Sequence, residues 1–183
     1  MLPFPRFSTW IGRAMALAAC LLALPGCGSK RSTEAAQVAP ELKLEGVRFH
    51  VFRGEELRAS GEATTATLRR DSTRVTAREL VAVLPGEGAP VRISAERGEG
   101  MLTTRVFSAT GGVVVSSRGD VARTASARYE PSPDGAGLVR GDEPVVVEGE
   151  GYRLDGPRFT LDPQLGKIVI EGGAHLEAGR GAP

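Results

Sequence analysis

From Gly46 onward the chain follows a two-residue period. Val47, Phe49 and Val51 alternate with Arg48, His50 and, less cleanly, Phe52. Successive side chains of an extended backbone point to opposite faces, so this alternation marks a strand buried on one side and wet on the other. The pattern returns with turn residues between copies: Leu57-Arg-Ala59-Ser-Gly61 after Gly54-Glu55-Glu56, Val75-Thr-Ala77 after Arg70-Asp71-Ser72, and Leu80 to Leu84 before Pro85-Gly86. Val91 to Ala95 runs toward Gly98-Glu-Gly100, and Thr124 to Tyr129 toward Pro131-Ser-Pro133-Asp-Gly135. Val145 to Val147, Tyr152 to Leu154, Phe159 to Leu161 and Ile168 to Ile170 complete the series. About a dozen short strands at this spacing predict an all-β domain. Ser60 to Arg70 is the best helix candidate, but the β-branched Thr64, Thr65 and Thr67 make it a strand.

One phrase occurs twice. Phe107-Ser-Ala-Thr-Gly111-Gly-Val-Val-Val115 and Ile168-Val-Ile-Glu-Gly172-Gly-Ala-His-Leu176 each carry an apolar run into Gly-Gly and out into another strand. We take both as strand-turn-strand units of one rolled sheet. Aromatic residues make up only 5% of the chain, against 24 Gly and 12 Pro. A compact globule of this length needs bulkier core residues, so the composition predicts a thin, elongated domain around a narrow apolar channel or seam.

The first 26 residues have a different character. Arg6 and Arg13 precede an apolar run from Ala14 to Leu24, followed by Leu24-Pro25-Gly26-Cys27. A basic region, a short apolar region and a small residue before the cut make an export signal, and the run is too short to span a bilayer comfortably. The motif resembles a lipobox, with Cys27 as the lipidated residue. Leu17-Ala18-Ala19-Cys20 offers a second match, but Arg13 leaves it almost no apolar run. An uncleaved signal anchor is the alternative. Cleavage before Cys27 discards Cys20, and a single remaining cysteine excludes an intrachain disulfide.

The organisation expected is therefore a lipoprotein signal peptide at 1–26, a polar tether at 27–45, a β domain at 46–178 and a tail at 179–183. Losing residues 1–26 removes two Lys/Arg and no Asp/Glu, leaving 23 − 2 = 21 basic against 22 acidic residues. With no basic block after Lys30-Arg31, nucleic acid is not an expected partner, because phosphate binding needs a concentrated positive face.

No catalytic constellation emerges, and neither a cofactor nor a metal is expected. His50 and His175 stand alone, without a second His or a Cys at ligand spacing. Glu148/Glu150 and Asp155/Asp162 lie beside Gly turns or on polar strand faces, where carboxylates are ordinarily solvated. Gly86-Glu-Gly88, Gly98-Glu-Gly100 and Glu148-Gly-Glu-Gly151 join no strand to a helix, so they are expected to be turns and not phosphate cradles.

The order of these segments resembles the LptC family of lipopolysaccharide-export proteins. Ile93-Ser-Ala95-Glu-Arg-Gly98 and then Phe107 to Val115 look like its central repeat. Thr124-Ala-Ser-Ala-Arg-Tyr129 is similar to a strand of that family ending in Tyr, and Gly141-Asp-Glu-Pro144-Val145-Val-Val147-Glu-Gly149 to its Pro-Val strand. Gly151-Tyr-Arg-Leu-Asp-Gly156 and Ile168-Val-Ile-Glu-Gly172 resemble its closing Gly-rich strands. The likeness covers Val47 to Leu176. The soluble carrier LptA shares part of the pattern, and the N-terminal membrane attachment points to LptC.

The resemblance implies an antiparallel β-jellyroll of the OstA/LptA type, open along one side, that takes lipopolysaccharide from the LptB/LptF/LptG transporter and passes it to LptA. It implies a place on the periplasmic side of the inner membrane and no bond-breaking chemistry. Inward-facing candidates for lipid contact are Val47, Phe49, Val51, Ala95, Phe107, Val113 and Val115. Tyr129, Val145, Val147, Tyr152, Leu154, Phe159 and Leu161 complete the set. The strands near Val47 and Leu176 are expected to dock the transporter and LptA respectively. A family member is typically held by an uncleaved transmembrane helix, so the lipobox at Cys27 departs from the pattern. The competing expectations are an LptA-like carrier and a structural β-solenoid lipoprotein that scaffolds the envelope.

Overall fold

The computed structural model describes residues 41–132 and 137–179. The expected signal peptide, Cys27, most of the tether, the Pro133 to Gly135 turn and the end of the tail lie outside the described residues.

Twelve antiparallel strands form one sheet, with no helix among the described residues. Six long strands come first, joined as successive hairpins: β1 Glu41–Arg53, β2 Glu56–Arg69, β3 Arg74–Leu84, β4 Val91–Met101, β5 Val106–Ser117 and β6 Asp120–Glu130. Six short ones complete the chain: β7 Leu138–Gly141, β8 Val145–Gly149, β9 Tyr152–Gly156, β10 Arg158–Asp162, β11 Lys167–Glu171 and β12 His175–Ala178. The short strands continue the sheet in two branches. The C-terminal half of β6 pairs with β7, then β10, then β11. Its N-terminal half pairs with β8, then β9, then β12.

The two branches are rows interrupted at one level. Asp142-Glu143-Pro144 separates β7 from β8, Pro157 separates β9 from β10, and Gly172-Gly173-Ala174 separates β11 from β12. The long strands slip at the same level without breaking. Pairing skips Gly46 in β1, and register shifts occur between Ser94 and Arg97 in β4 and between Thr110 and Val113 in β5. Gly46, Glu79, Gly111 and Gly112 all have positive φ along this line. A bulge adds a residue to one strand, bends it and moves the inward set to the other parity. In β5 pairing to β6 skips two residues, Gly111 and Gly112, so the inward set keeps one parity, with Phe107 and Ala109 on one side of the slip and Val113 and Val115 on the other. β3 does change parity, from Val75 and Ala77 to Leu80, Ala82 and Leu84.

Three expectations change here. Gly111-Gly112 is a bulge inside a continuous strand and not a turn, because the slip is absorbed by two left-handed glycines while pairing to β4 and β6 resumes on both sides. Its twin at Gly172-Gly173 does separate two strands. Gly98-Glu-Gly100 lies within β4, where Gly98 and Gly100 are buried and face Ala77 and Val75 across the pair. Finally, Glu41 to Glu45 is strand and not tether. Leu42 and Leu44 alternate with charged residues and pair with Leu68 and Ala66.

One core cluster holds the halves together. It draws Val91, Val113, Val115 and Val145 from one side of the slip line and Val139, Phe159 and Leu161 from the other. All seven are essentially excluded from solvent, which at about 25 cal/mol per Å² makes their burial a dominant stabilising term.

Candidate functional site

Beside that core, with Leu84, Ile93, Ala109, Ala127 and Val139 on the boundary, the two halves enclose a partly open cavity of about 640 Å³. Its floor is made of small residues: Ala59, Ala63 and Ala66 of β2, Ala77 and Ala82 of β3, and Gly98 and Gly100 of β4. Where the facing positions carry Val, Leu and Phe the interior fills, and where they carry Ala and Gly it stays hollow. The walls are apolar and come from Leu44, Val47, Phe49 and Val51 of β1, Leu68 of β2 and Phe107 of β5.

Large rings are accommodated by a recurring device. Phe49 pairs with Gly61, Phe107 with Gly100, Phe159 with Gly141 and Tyr152 with Gly149, each directly across two strands. A Cβ at any of these glycines would collide with the ring opposite. The missing side chain is the space in which the ring lies. Two of the four rings, Phe49 and Phe107, thereby line the cavity, while Phe159 fills the core.

The structure divides the expected lining set. Val47, Phe49, Val51, Phe107 and Tyr129 line the cavity. Ala95, Val113, Val115, Val145, Val147, Phe159 and Leu161 are packed in the core instead, with Tyr152 and Leu154 against it. All fourteen have the parity of an inward residue; what separates them is the bulk of the residues opposite. Sequence reasoning missed the Ala and Gly floor, for which the size of each inward residue was the available signal. It also missed the cationic rim.

That rim contains Arg48, Arg53, Arg58 and Arg105, with Glu99 as the carboxylate among the lining residues. Four positive and one negative charge leave 4 − 1 = +3, and Glu99 is engaged outward by Arg74 at 2.9 Å. The Arg58 side chain is only 19% exposed, with one terminal nitrogen 2.6 Å from Glu56 Oε2. Its Nε is buried without a hydrogen-bond partner. Burial raises the Tyr129 hydroxyl above its ordinary pKa, while the charges of Arg58, Arg105 and Arg53 pull the other way. All three arginines and the half-buried phenol line the same cavity. His50 also borders the cavity, stacked on the exposed Phe52 ring with centroids 6.3 Å apart.

Most of the remaining polar candidates have structural partners, and Glu150 is an exposed turn residue. Glu148 pairs with Arg123 and, at 3.1 Å, with Arg153, which also reaches Asp155 at 3.3 Å. Asp162 accepts the backbone N–H groups of Gln164 and Leu165, closing the turn before β11. His175 is exposed beside Glu177. No group of three metal-ligating side chains occurs among the described residues.

No protein-family model matches the sequence, and no curated protein matches it either.

Proposed function

We propose that the protein carries lipopolysaccharide across the periplasm as a membrane-attached, LptC-like member of the export bridge. One observation carries this reading: a partly open apolar cavity, with arginines among its lining residues, lies between two halves of a single folded sheet. Such volumes suit ligand sites, which range over about 300 to 1,000 Å³. Each buried CH₂ of an acyl chain gains about 0.8 kcal/mol relative to water, so a hollow lined by Ala, Val, Leu and Phe is a place for such chains in transit. A sheet folded about a line of bulges and breaks is compatible with an OstA-type β-jellyroll, and the lining performs no acid–base step in this reading. The strands β1, β11 and β12 each have one pairing neighbour, leaving edges on which adjoining bridge proteins can add strands.

The test is photo-crosslinking in cells. A photoreactive residue at Phe49, Phe107 or Tyr129 should capture lipopolysaccharide, whereas one at Phe159, packed in the core, should not. A folded protein that yields no adduct at the three cavity positions would overturn the proposal.

A further inference from the structure

The arginines at the cavity edge are not required by an apolar ligand. An acyl chain gains nothing from a guanidinium, and holding Arg58 at 19% exposure with Nε unpartnered carries a desolvation cost. Glu56 offsets part of that cost but leaves Nε without a partner. Glu56 engages a different nitrogen of Arg58, and Glu99 is held by Arg74. Tyr129 lines the same cavity as Arg58 and Arg105, its ring against Gly137, and adds a hydroxyl that can donate or accept. The Ala and Gly residues of the floor add no polar side chain, and the hydroxyls among the other lining residues, Thr103, Thr104 and Ser108, carry no charge to oppose an anion's.

We propose that this edge is a headgroup site: Arg58 and Arg105, with Tyr129, hold the phosphate of an acylated ligand whose chains run inward over the small-residue floor. The proposal rests on the carriage reading and adds an orientation to it. A phosphate presents several acceptor oxygens, and guanidinium groups pair with it by short, charge-assisted hydrogen bonds. In this arrangement the anion supplies a partner for the buried Nε of Arg58. The arrangement favours phosphate over neutral or cationic heads attached to the same chain, and the preference weakens with salt because the site is partly open.

The probes are dodecyl phosphate, dodecyl maltoside and dodecyltrimethylammonium, each with a mid-chain diazirine, applied to the full chain in nanodiscs. Photolabelling of cavity peptides, quantified by mass spectrometry, is the readout. Dodecyl phosphate should label about tenfold more than the maltoside, the ratio expected for one charge-assisted hydrogen bond. Arg58→Gln and Arg105→Gln should each bring phosphate labelling toward the maltoside level and leave maltoside labelling unchanged. Arg105 lies in an exposed turn, so its variant tests the site even if Arg58→Gln fails to fold. Arg123→Gln, on the outer surface beside Glu148, should have no effect. Equimolar inorganic phosphate should not compete, because it lacks the chain; competition equal to that of dodecyl phosphate would reduce the site to a simple anion site and overturn the proposal. Equal labelling by all three heads would overturn the headgroup site and spare carriage. No labelling by any probe would overturn both.

Discussion

At Gly100 the absence of a side chain carries a specific load. A Cβ there would meet the Phe107 ring and come within 2.6 Å of the Val106 carbonyl oxygen. Gly100→Ala should therefore destabilise the fold by about 1 to 3 kcal/mol, as overpacking does. Urea unfolding would measure the loss, and adding Phe107→Leu should recover part of it because the two positions share one volume. Thr124 presents the opposite case. It occupies an inward position between Val113 and Val145, 8% exposed, with its hydroxyl buried and unpartnered. Removing an unsatisfied buried hydroxyl at nearly constant shape should help, so Thr124→Val is expected to raise stability by about 1 kcal/mol. An unchanged or lower urea midpoint would mean that the hydroxyl has found a partner.

Among the elements, the strand edges behave differently from one another. All four residues of β12 are exposed and pair only with β9, whereas Ile168 and Ile170 of β11 pack on the core opposite Leu161 and Phe159. Ending the chain at Gly173 should remove an edge and leave the core covered. Under the proposed bridge role, this truncation should leave the melting profile unchanged, lose capture of LptA and retain binding to the transporter; capture that survives would rule out β12 as the docking edge. Deleting from Gly166 instead strips both isoleucines and confounds docking with unfolding. The strands themselves were legible from the two-residue period, because the direction of each side chain is set by its own backbone. The phase slips were not. Gly111-Gly112 and Gly172-Gly173 have the same local sequence signature, yet one is a bulge and the other a break, a difference set by whether neighbouring strands remain continuous.

The whole molecule divides into a packed region and a hollow one within a single sheet. Phe159 and Phe107 make the division measurable, since both rings lie over a glycine but only Phe159 is fully buried. Phe159→Ala should cost about 3 to 5 kcal/mol, the range for emptying a packed core site. Phe107→Ala should cost less, because its ring already borders empty space, and should instead change labelling by acyl probes. Equal losses in urea unfolding would show that the cavity wall is packed as tightly as the core. The sequence by itself determined the all-β class and the inward sense of the fourteen named residues, since alternation is a local property of the chain. Only the tertiary structure decided which inward residues enclose space and which fill it. That outcome depends on the bulk of the residue facing each position across the fold, and no spacing along one strand carries that information.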